Sequence, residues 1–583
     1  MKKTKQLSDN AITVAKSRYF MEGEDWEACT RRVADVVSTP EANNKLKYLE
    51  LFHEMIYNMD FIPGGRILRN CGRPRGSLFN CYHLPIGDSI EEIGQFIKDS
   101  LILWSEGGGV GCNFSSLRPK GDIILGKGGS SSGLVSFIEA ADAVADTIES
   151  GGSRRAAAIG HVDVAHPEVL DFIDAKLVHG KISHFNLSVN VNGKFLEAVE
   201  ADDNWEFRFK QRSYGKIKAR EIWNKIVTNM VDCAEPGLLN WDNFSKNNSY
   251  YFEPVIGTNP CGETTLGPYG VCDLGSLVLP NFITGSINTN WIKLENTIEL
   301  AVRFLDNIIE VNKYNLKDID INAHKSRRIG IGMLGLAEYL FAKKLRYGSE
   351  KSVQEVERLV RFIRDACYKA SIKIAAEKGA FPAFEPIQFG KASFIRKLPA
   401  ALRLDIKKFG IRNCTSMAFA PNGTISLLAD LTGCGEPLFS KAYRRDDRVS
   451  SRVYIHPLYQ QILESGEETP DWFVDAYDLK PEDHFEIQCA MQKYCDGSVS
   501  KTINLPRETT SDDLSRLLLE YIHDLKGVTV YRDGSREGQI LNSITEEEAR
   551  EFLGLTKNES NGIEISRSLT TDDVKCANGT CDL

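Results

Sequence analysis

The chain reads as one large α/β protein with a helical preface and a polar tail, and three observations lead there. Residues 1–70 carry apolar side chains at three- and four-residue spacing, first in Trp26–Val37 and again in Leu46–Ile56, the period of amphipathic helices. From about residue 71 to about residue 540, short apolar runs alternate with glycine-rich turns and helical stretches, the order expected of a sheet covered by helices. Beyond that the composition turns polar. The expected division is therefore a helical region at 1–70, an α/β core at 71–542 and a tail at 543–583.

Within the core, Ile182–Val191 and Ser416–Ala420 have the pattern of strands, and Val135–Glu149 and Val353–Lys378 the period of helices. In the tail, Thr545 and Glu548 form a capping box for a short helix ending near Phe552. Gly554–Lys575 is rich in Asn, Ser, Thr and Asp and reads as a tether. Its roughly 22 residues would reach about 26 Å as a flexible chain.

Bulk properties narrow the function. The 583 residues are 42% hydrophobic and 26% charged, with a net charge of -9. That balance is no footprint of a nucleic-acid binder, and a small diffusible ligand fits better. Met1–Asp9 holds no apolar stretch of the kind that opens a signal peptide, and no run is long enough to cross a membrane as a helix. Fourteen cysteines are too sparse for a disulfide scaffold. The expectation is a cytoplasmic protein whose cysteines begin as thiols.

Some of those cysteines stand in unusual company. Asn259-Pro260-Cys261-Gly262-Glu263 puts a thiol, an amide and a carboxylate within five residues, and Cys272 follows in Val271-Cys272-Asp273. Cys81 lies far upstream after Asn80, and Cys576 and Cys581 stand close to the C-terminal end. A Pro-Cys-Gly turn between polar residues is not core texture, although a lone cysteine is often buried. No other Cys or His accompanies the terminal pair, so a local four-ligand zinc site is excluded and a mobile dithiol is the better reading. Cys29, Cys71, Cys112, Cys233, Cys367, Cys414, Cys434, Cys489 and Cys495 read as packing residues.

Three glycine-bearing loops need weighing. Gly330-Ile-Gly332-Met-Leu-Gly335 matches a dinucleotide fingerprint, but Asn322–Arg328 before it does not read as a buried strand. Close packing of a helix explains these glycines better. Gly121–Lys127 begins like a P-loop yet has Gly128 where a magnesium-binding hydroxyl is required. The glycine/serine run after Lys127 still leads into a helix near Leu134, where an anion could bind; a plain surface loop is the equal alternative. Ala420-Pro421-Asn422-Gly423-Thr424-Ile425-Ser426 offers small residues, hydroxyls and a possible anion nest; an ordinary strand-to-helix turn is the alternative.

Taken in order, Asn259–Glu263, the Cys81/Cys272 pair, Pro421–Ser426, Arg327–Ala337, Ser500–Pro506 and the terminal cysteines resemble the catalytic chain of ribonucleotide reductases. The segment Gly527–Arg536 resembles the adenosylcobalamin-dependent branch. Tyr531 is followed by Arg532, where the branch that depends on a radical-bearing partner has paired tyrosines. That branch remains the alternative.

The resemblance implies a ten-stranded α/β barrel of two five-stranded halves, with a central finger loop carrying Cys261. It implies that Cys261 is the radical thiol, Glu263 the general base and Asn259 a ribose contact. Cys81 and Cys272 would supply two electrons as a dithiol, and Cys576 and Cys581 would restore them, recharged by a thioredoxin-like protein. Asn80 and Pro421, Asn422, Gly423, Thr424, Ile425 and Ser426 would bind the substrate, a ribonucleotide and preferably a diphosphate. Asp88, Ser89 and Lys127 would bind dNTP or ATP effectors at a homodimer interface, and the loop Lys176–Lys181 would relay effector identity. No metal ligand is implied. Two departures stand out: Asn422 replaces a frequent Thr, and the chain is short for this branch.

Overall fold

The computed structural model describes residues 7–555 apart from 125–127, 151–153, 179, 286, 447–450 and 536–540. Lys127, Cys576 and Cys581 lie outside the described residues, as does the tether.

The helical preface comprises Asp9–Arg18, Trp26–Val37, Lys45–Tyr57 and Gly65–Asn70. Ser8 and Asp25 cap the first two by accepting from the N–H groups of Ala11 and Ala28. Trp26, Cys29, Val33 and Val37 share the buried face of the second helix, as their spacing predicts. The preface is joined to the core by pairing and by buried charges. Phe61–Pro63 is a short strand that pairs with Gly275–Leu277 of the core. Buried Glu41 is held by Arg303 at 3.1 Å and Lys378 at 2.7 Å, both from core helices.

Ten strand segments of the core fall into two groups. In the first, Cys81–His83, Gly109–Asn113, Ala158–Asp163, Phe185–Val191 and Gly237–Asn240 lie side by side, all parallel. In the second, Leu274–Val278 runs parallel to Gly330–Leu334. Single parallel bridges then join Ile331 to Met417 and Phe419 to Val499, and Thr502–Leu505 runs parallel to Gly527–Arg532. The two groups meet antiparallel twice: Gly237–Asn240 against Gly527–Arg532, and Cys81–Tyr82 against Val271–Cys272. Strands buried on both faces, such as Phe185–Val191, are what a parallel sheet covered by helices requires.

Several expectations shift in detail. The strand expected over 182–191 begins at Phe185, because Ile182 adopts φ 50° in the preceding turn. Residues 416–420 join the sheet only through two single bridges, since the N–H groups of Ser416 and Met417 donate to the Asp496 carboxylate instead. The helices expected near 135–149 and 353–378 span Leu134–Asp146 and Glu350–Lys378. Gly330–Leu334 is itself a fully buried strand, so its glycines serve strand packing and not helix packing. A Cβ on Gly330 would stand 2.8 Å from the Ala418 Cβ, and one on Gly332 would stand 2.9 Å from the Ala418 carbonyl oxygen. The helix Glu546–Phe552 has the expected capping box.

Candidate active site

Cys81 and Cys272 are direct cross-strand partners in the second antiparallel seam. Opposed residues in such a ladder hold their Cα atoms about 4.5–5.5 Å apart, within the span of a disulfide. Both side chains are buried. They share a small cluster with Leu266, Leu274, Ala418 and Ala420, and Cys261 packs against it. Three thiols from distant positions therefore converge. Gly109 makes the space: a Cβ there would lie 3.0 Å from the Cys81 Sγ and 2.8 Å from Pro260.

Asn259–Glu263 forms the tip of a hairpin whose arms, Gly257–Thr258 and Thr265–Leu266, pair antiparallel. One arm crosses the first strand group at Gly111, where a Cβ would stand 1.7 Å from the Thr258 carbonyl oxygen. The Asn113 amide donates to the Ile256 carbonyl at 3.0 Å. From the second group, the Ser498 N–H donates to the Glu263 carbonyl at 2.7 Å. Gly262, at φ 80°, makes the turn between thiol and carboxylate.

Glu263 is fully buried, and neither carboxylate oxygen has a hydrogen-bond partner. Burial pushes its pKa up to about 7, because a charge without solvent or donors is disfavoured. The neighbouring Asn259 amide tempers the rise without reaching full hydrogen-bond geometry. Asn259 accepts from the Thr264 N–H at 3.1 Å, which fixes its orientation, while its Nδ2 has no partner. The Cys272 thiol donates to Thr264 Oγ1 at 3.2 Å. Burial first, and then the charge of Glu263, pushes the Cys272 pKa well above the usual thiol range.

The other expected residues are placed as follows. Asn80 precedes Cys81, and its Oδ1 accepts from the Arg66 N–H at 3.3 Å. Pro421–Ser426 continues the segment whose Ala418 and Ala420 pack on the thiols. Asn422 takes φ 62° and opens the short helix Gly423–Ala429. Its side chain donates to the Met333 carbonyl at 2.9 Å and accepts from Ser276 Oγ at 3.1 Å, so it anchors the loop to two strands. Ser426 Oγ donates to the Gly423 carbonyl, while Thr424 and Ile425 are buried.

Asp88 stands in a charged cluster. It pairs with Arg118 at 3.0 Å and Lys210 at 3.3 Å in a hollow also lined by Asp122, Arg212 and Tyr214. Ser89 caps the helix Ile90–Ser105. The helix N-terminus at Leu134, expected as an anion site, is already met by a protein carboxylate: Glu168 Oε2 accepts from the Leu134 N–H at 2.9 Å.

Cys261 also borders a cavity. Ser188, Ala234, Gly237, Ser500, Thr529 and Tyr531 line it. Sequence reasoning named Tyr531 and the runs that hold Ser188, Ser500 and Thr529, but not Ala234 or Gly237, nor Asp496, Ser498 and Lys526, which brace the hairpin. Each one missed looks like ordinary turn or strand texture, and no local signal marks it.

A paired dithiol, a third thiol and a carboxyl poised near neutrality, all at one point of an α/β fold, define a redox enzyme. Residues 79–531 match the barrel domain of ribonucleotide reductase, and residues 5–76 its all-alpha domain. The chain is 33% identical to a vitamin B12-dependent ribonucleoside-diphosphate reductase of Thermoplasma acidophilum, over all of this chain and 79% of the relative. A Mycobacterium tuberculosis protein of the same description is 35% identical over 92% of this chain and 81% of the relative. A Chlamydia trachomatis ribonucleoside-diphosphate reductase subunit alpha is 24% identical over 86% of this chain and 52% of the relative. The chain belongs to the ribonucleotide reductase family.

Proposed function

We propose that this protein reduces ribonucleoside diphosphates to 2′-deoxyribonucleotides with adenosylcobalamin as its radical source. One observation carries the reading: Cys261 packs against the opposed pair Cys81/Cys272. The relatives at 33–35% identity are vitamin B12-dependent by description, which favours this source over a radical-bearing partner. The cavity beside Cys261 is open at Gly262, where a Cβ would meet no atom within 4 Å, which favours approach of the cofactor's reactive part to the thiol from that side. Ser188, Ala234, Gly237, Ser500, Thr529 and Tyr531 would hold the group. When bound, adenosylcobalamin supplies a carbon-centred radical able to take a hydrogen atom.

Cys261 gives up its S–H hydrogen, holds the unpaired electron and removes the 3′-hydrogen of the ribose. Glu263 accepts the 3′-hydroxyl proton, which its raised pKa suits near neutral pH. The unpartnered Nδ2 of Asn259 donates to the sugar. The 2′-hydroxyl takes one proton from the Cys81/Cys272 dithiol and leaves as water; the two electrons and the other proton go to C2′ as Cys81 and Cys272 form an S–S bond, and Glu263 returns the 3′-hydroxyl proton. Cys261 then returns the hydrogen to C3′. The backbone of Pro421–Ser426 holds the phosphates.

Cys576 and Cys581 reduce the disulfide by thiol exchange, with a thioredoxin-like protein as the next donor. Asp88, Ser89 and Lys127 bind a nucleotide effector in a homodimer. The Lys176 ammonium, 2.7 Å from Glu235 at the edge of the Cys261 cavity, supports a relay from that loop. The two antiparallel seams support a ten-stranded barrel with the hairpin as its central finger. The domain limits remain 1–70, 71–542 and 543–583. No helix among the described residues is long and apolar enough to cross a membrane, which is compatible with a place in the cytoplasm.

The test is incubation of the purified protein with a ribonucleoside diphosphate, a small dithiol and adenosylcobalamin. Deoxyribonucleotide should form. Its absence, with formation restored only by a radical-bearing partner chain, would overturn the cofactor assignment.

A further inference from the structure

The carbonyl of Glu263 is held by the turn Cys495–Ser498, through the Ser498 N–H at 2.7 Å. That turn is built around Asp496, whose carboxylate is fully buried and accepts four hydrogen bonds. Oδ2 accepts from the Ser416 N–H at 2.8 Å and the Tyr368 hydroxyl at 2.9 Å. Oδ1 accepts from the Met417 N–H at 2.8 Å and the Gly497 N–H at 2.9 Å. Lys526, also fully buried, closes the turn from the other side. Its ammonium donates to the carbonyls of Asp496 at 2.8 Å and Gly497 at 2.7 Å.

Ser416 and Met417 begin the segment that runs past the thiols through Ala418 and Ala420 into Pro421–Ser426. One buried carboxylate thus ties the lead-in to the phosphate loop to the turn that holds Glu263. Gly497 is required where these parts meet, since a Cβ there would stand 2.4 Å from the Met417 carbonyl oxygen and 3.0 Å from that of Glu263.

We propose that Asp496, clamped by Lys526, is a positioning residue that sets the placement of Glu263 relative to the phosphate loop. This rests on the reading of Glu263 as the base and of Pro421–Ser426 as the phosphate site. Neither Asp496 nor Lys526 touches the reacting atoms; both act through backbone. Burying a charged group of each sign is costly unless its bonds are satisfied, and here the carboxylate makes four and the ammonium two.

The groups facing each member are known. Asp496 faces Tyr368, Cys367, Cys414, Cys495 and Lys526. Lys526 faces Cys495 and Asp496, with Lys397 as a like charge. Glu263 faces Asn259, Cys272 and Cys434.

The test compares the full-length protein with Asp496→Asn and Gly497→Ala. The first removes two acceptor sites from the knot; the second keeps all charges and displaces the same carbonyl. Steady-state turnover should show kcat reduced about tenfold to a hundredfold in both, the range expected of a sub-ångström to ångström misplacement of a reacting group. The Glu263 carboxyl is followed independently by infrared titration, each protein being referenced to its own Glu263→Gln derivative. Its pKa should fall from about 7 toward the ordinary carboxylate range in both variants. The titration needs no turnover, so it decides this inference even if the wild-type protein fails the reductase assay and the proposed function falls. Should Asp496→Asn not fold, Gly497→Ala carries the test alone. Folded variants with an unmoved Glu263 titration would overturn the proposal, as would lost stability with kcat per folded protein, KM and titration unchanged.

Discussion

Replacing Glu263 by Gln tests whether the fold holds a carboxyl at a thermodynamic disadvantage for the sake of chemistry. The side chain is fully buried with unpartnered oxygens, and its pKa rises from an ordinary 4.5 to about 7. Each unit corresponds to about 1.4 kcal/mol, so the ionised carboxylate costs the folded state about 3 kcal/mol. The sign follows from proton binding. Between these two pKa values the folded protein binds the proton more tightly than the unfolded chain, so stability falls as pH rises from about 4.5 to about 7. Gln has no proton to lose, and its stability lacks this component.

The difference in melting temperature between Glu263→Gln and wild type should therefore grow in favour of the variant from pH 4 to pH 8. With an unfolding entropy of roughly 2 cal/mol/K per residue, about 3 kcal/mol corresponds to about 3 °C for the barrel. Scanning calorimetry across that range measures it. Turnover should show the counterpart: wild-type kcat/KM falls about tenfold per pH unit below about pH 7, while the variant is slower by about 10²–10⁴ and lacks this limb. Melting curves separated by the same interval at every pH would refute the argument from burial.

Other expectations follow from the same geometry. Cys261→Ser should abolish deoxyribonucleotide formation while nucleotide affinity, measured by calorimetric titration, stays within about twofold of wild type. A single turnover without external reductant should leave a Cys81–Cys272 disulfide, detected by peptide mass spectrometry; reduced thiols after product release would reject the dithiol role. Cys576→Ser with Cys581→Ser should block turnover driven by a thioredoxin-like protein yet spare turnover with a small dithiol. Gly111→Ala should destabilise the chain by at least about 1–3 kcal/mol in thermal melts, because its Cβ would overlap the Thr258 carbonyl.

Legibility in the sequence followed the range of the interactions. Helices such as Trp26–Val37 and Glu350–Lys378 could be read because their period is local. Asn259–Glu263 could be read because its chemistry lies within five residues. The segment 416–420 was legible as extended chain but not as a weakly bridged strand, since the Asp496 carboxylate that captures its N–H groups lies far along the sequence. The same distance hid Lys526. Gly330–Leu334 misled because glycines that admit Ala418 look like glycines that let a helix pack closely until the partner strand is known. The helix at Leu134 lost its apparent anion site to Glu168 for the same reason.

The position of Cys81 and Cys272 on a seam between the two strand groups also bears on the protein's early life. As synthesis proceeds, the first thiol emerges long before the second. The couple comes into being only when Cys81–His83 pairs with Val271–Cys272 across that seam. Until that pairing forms, the chain has no opposed sulfur pair at this position to oxidise.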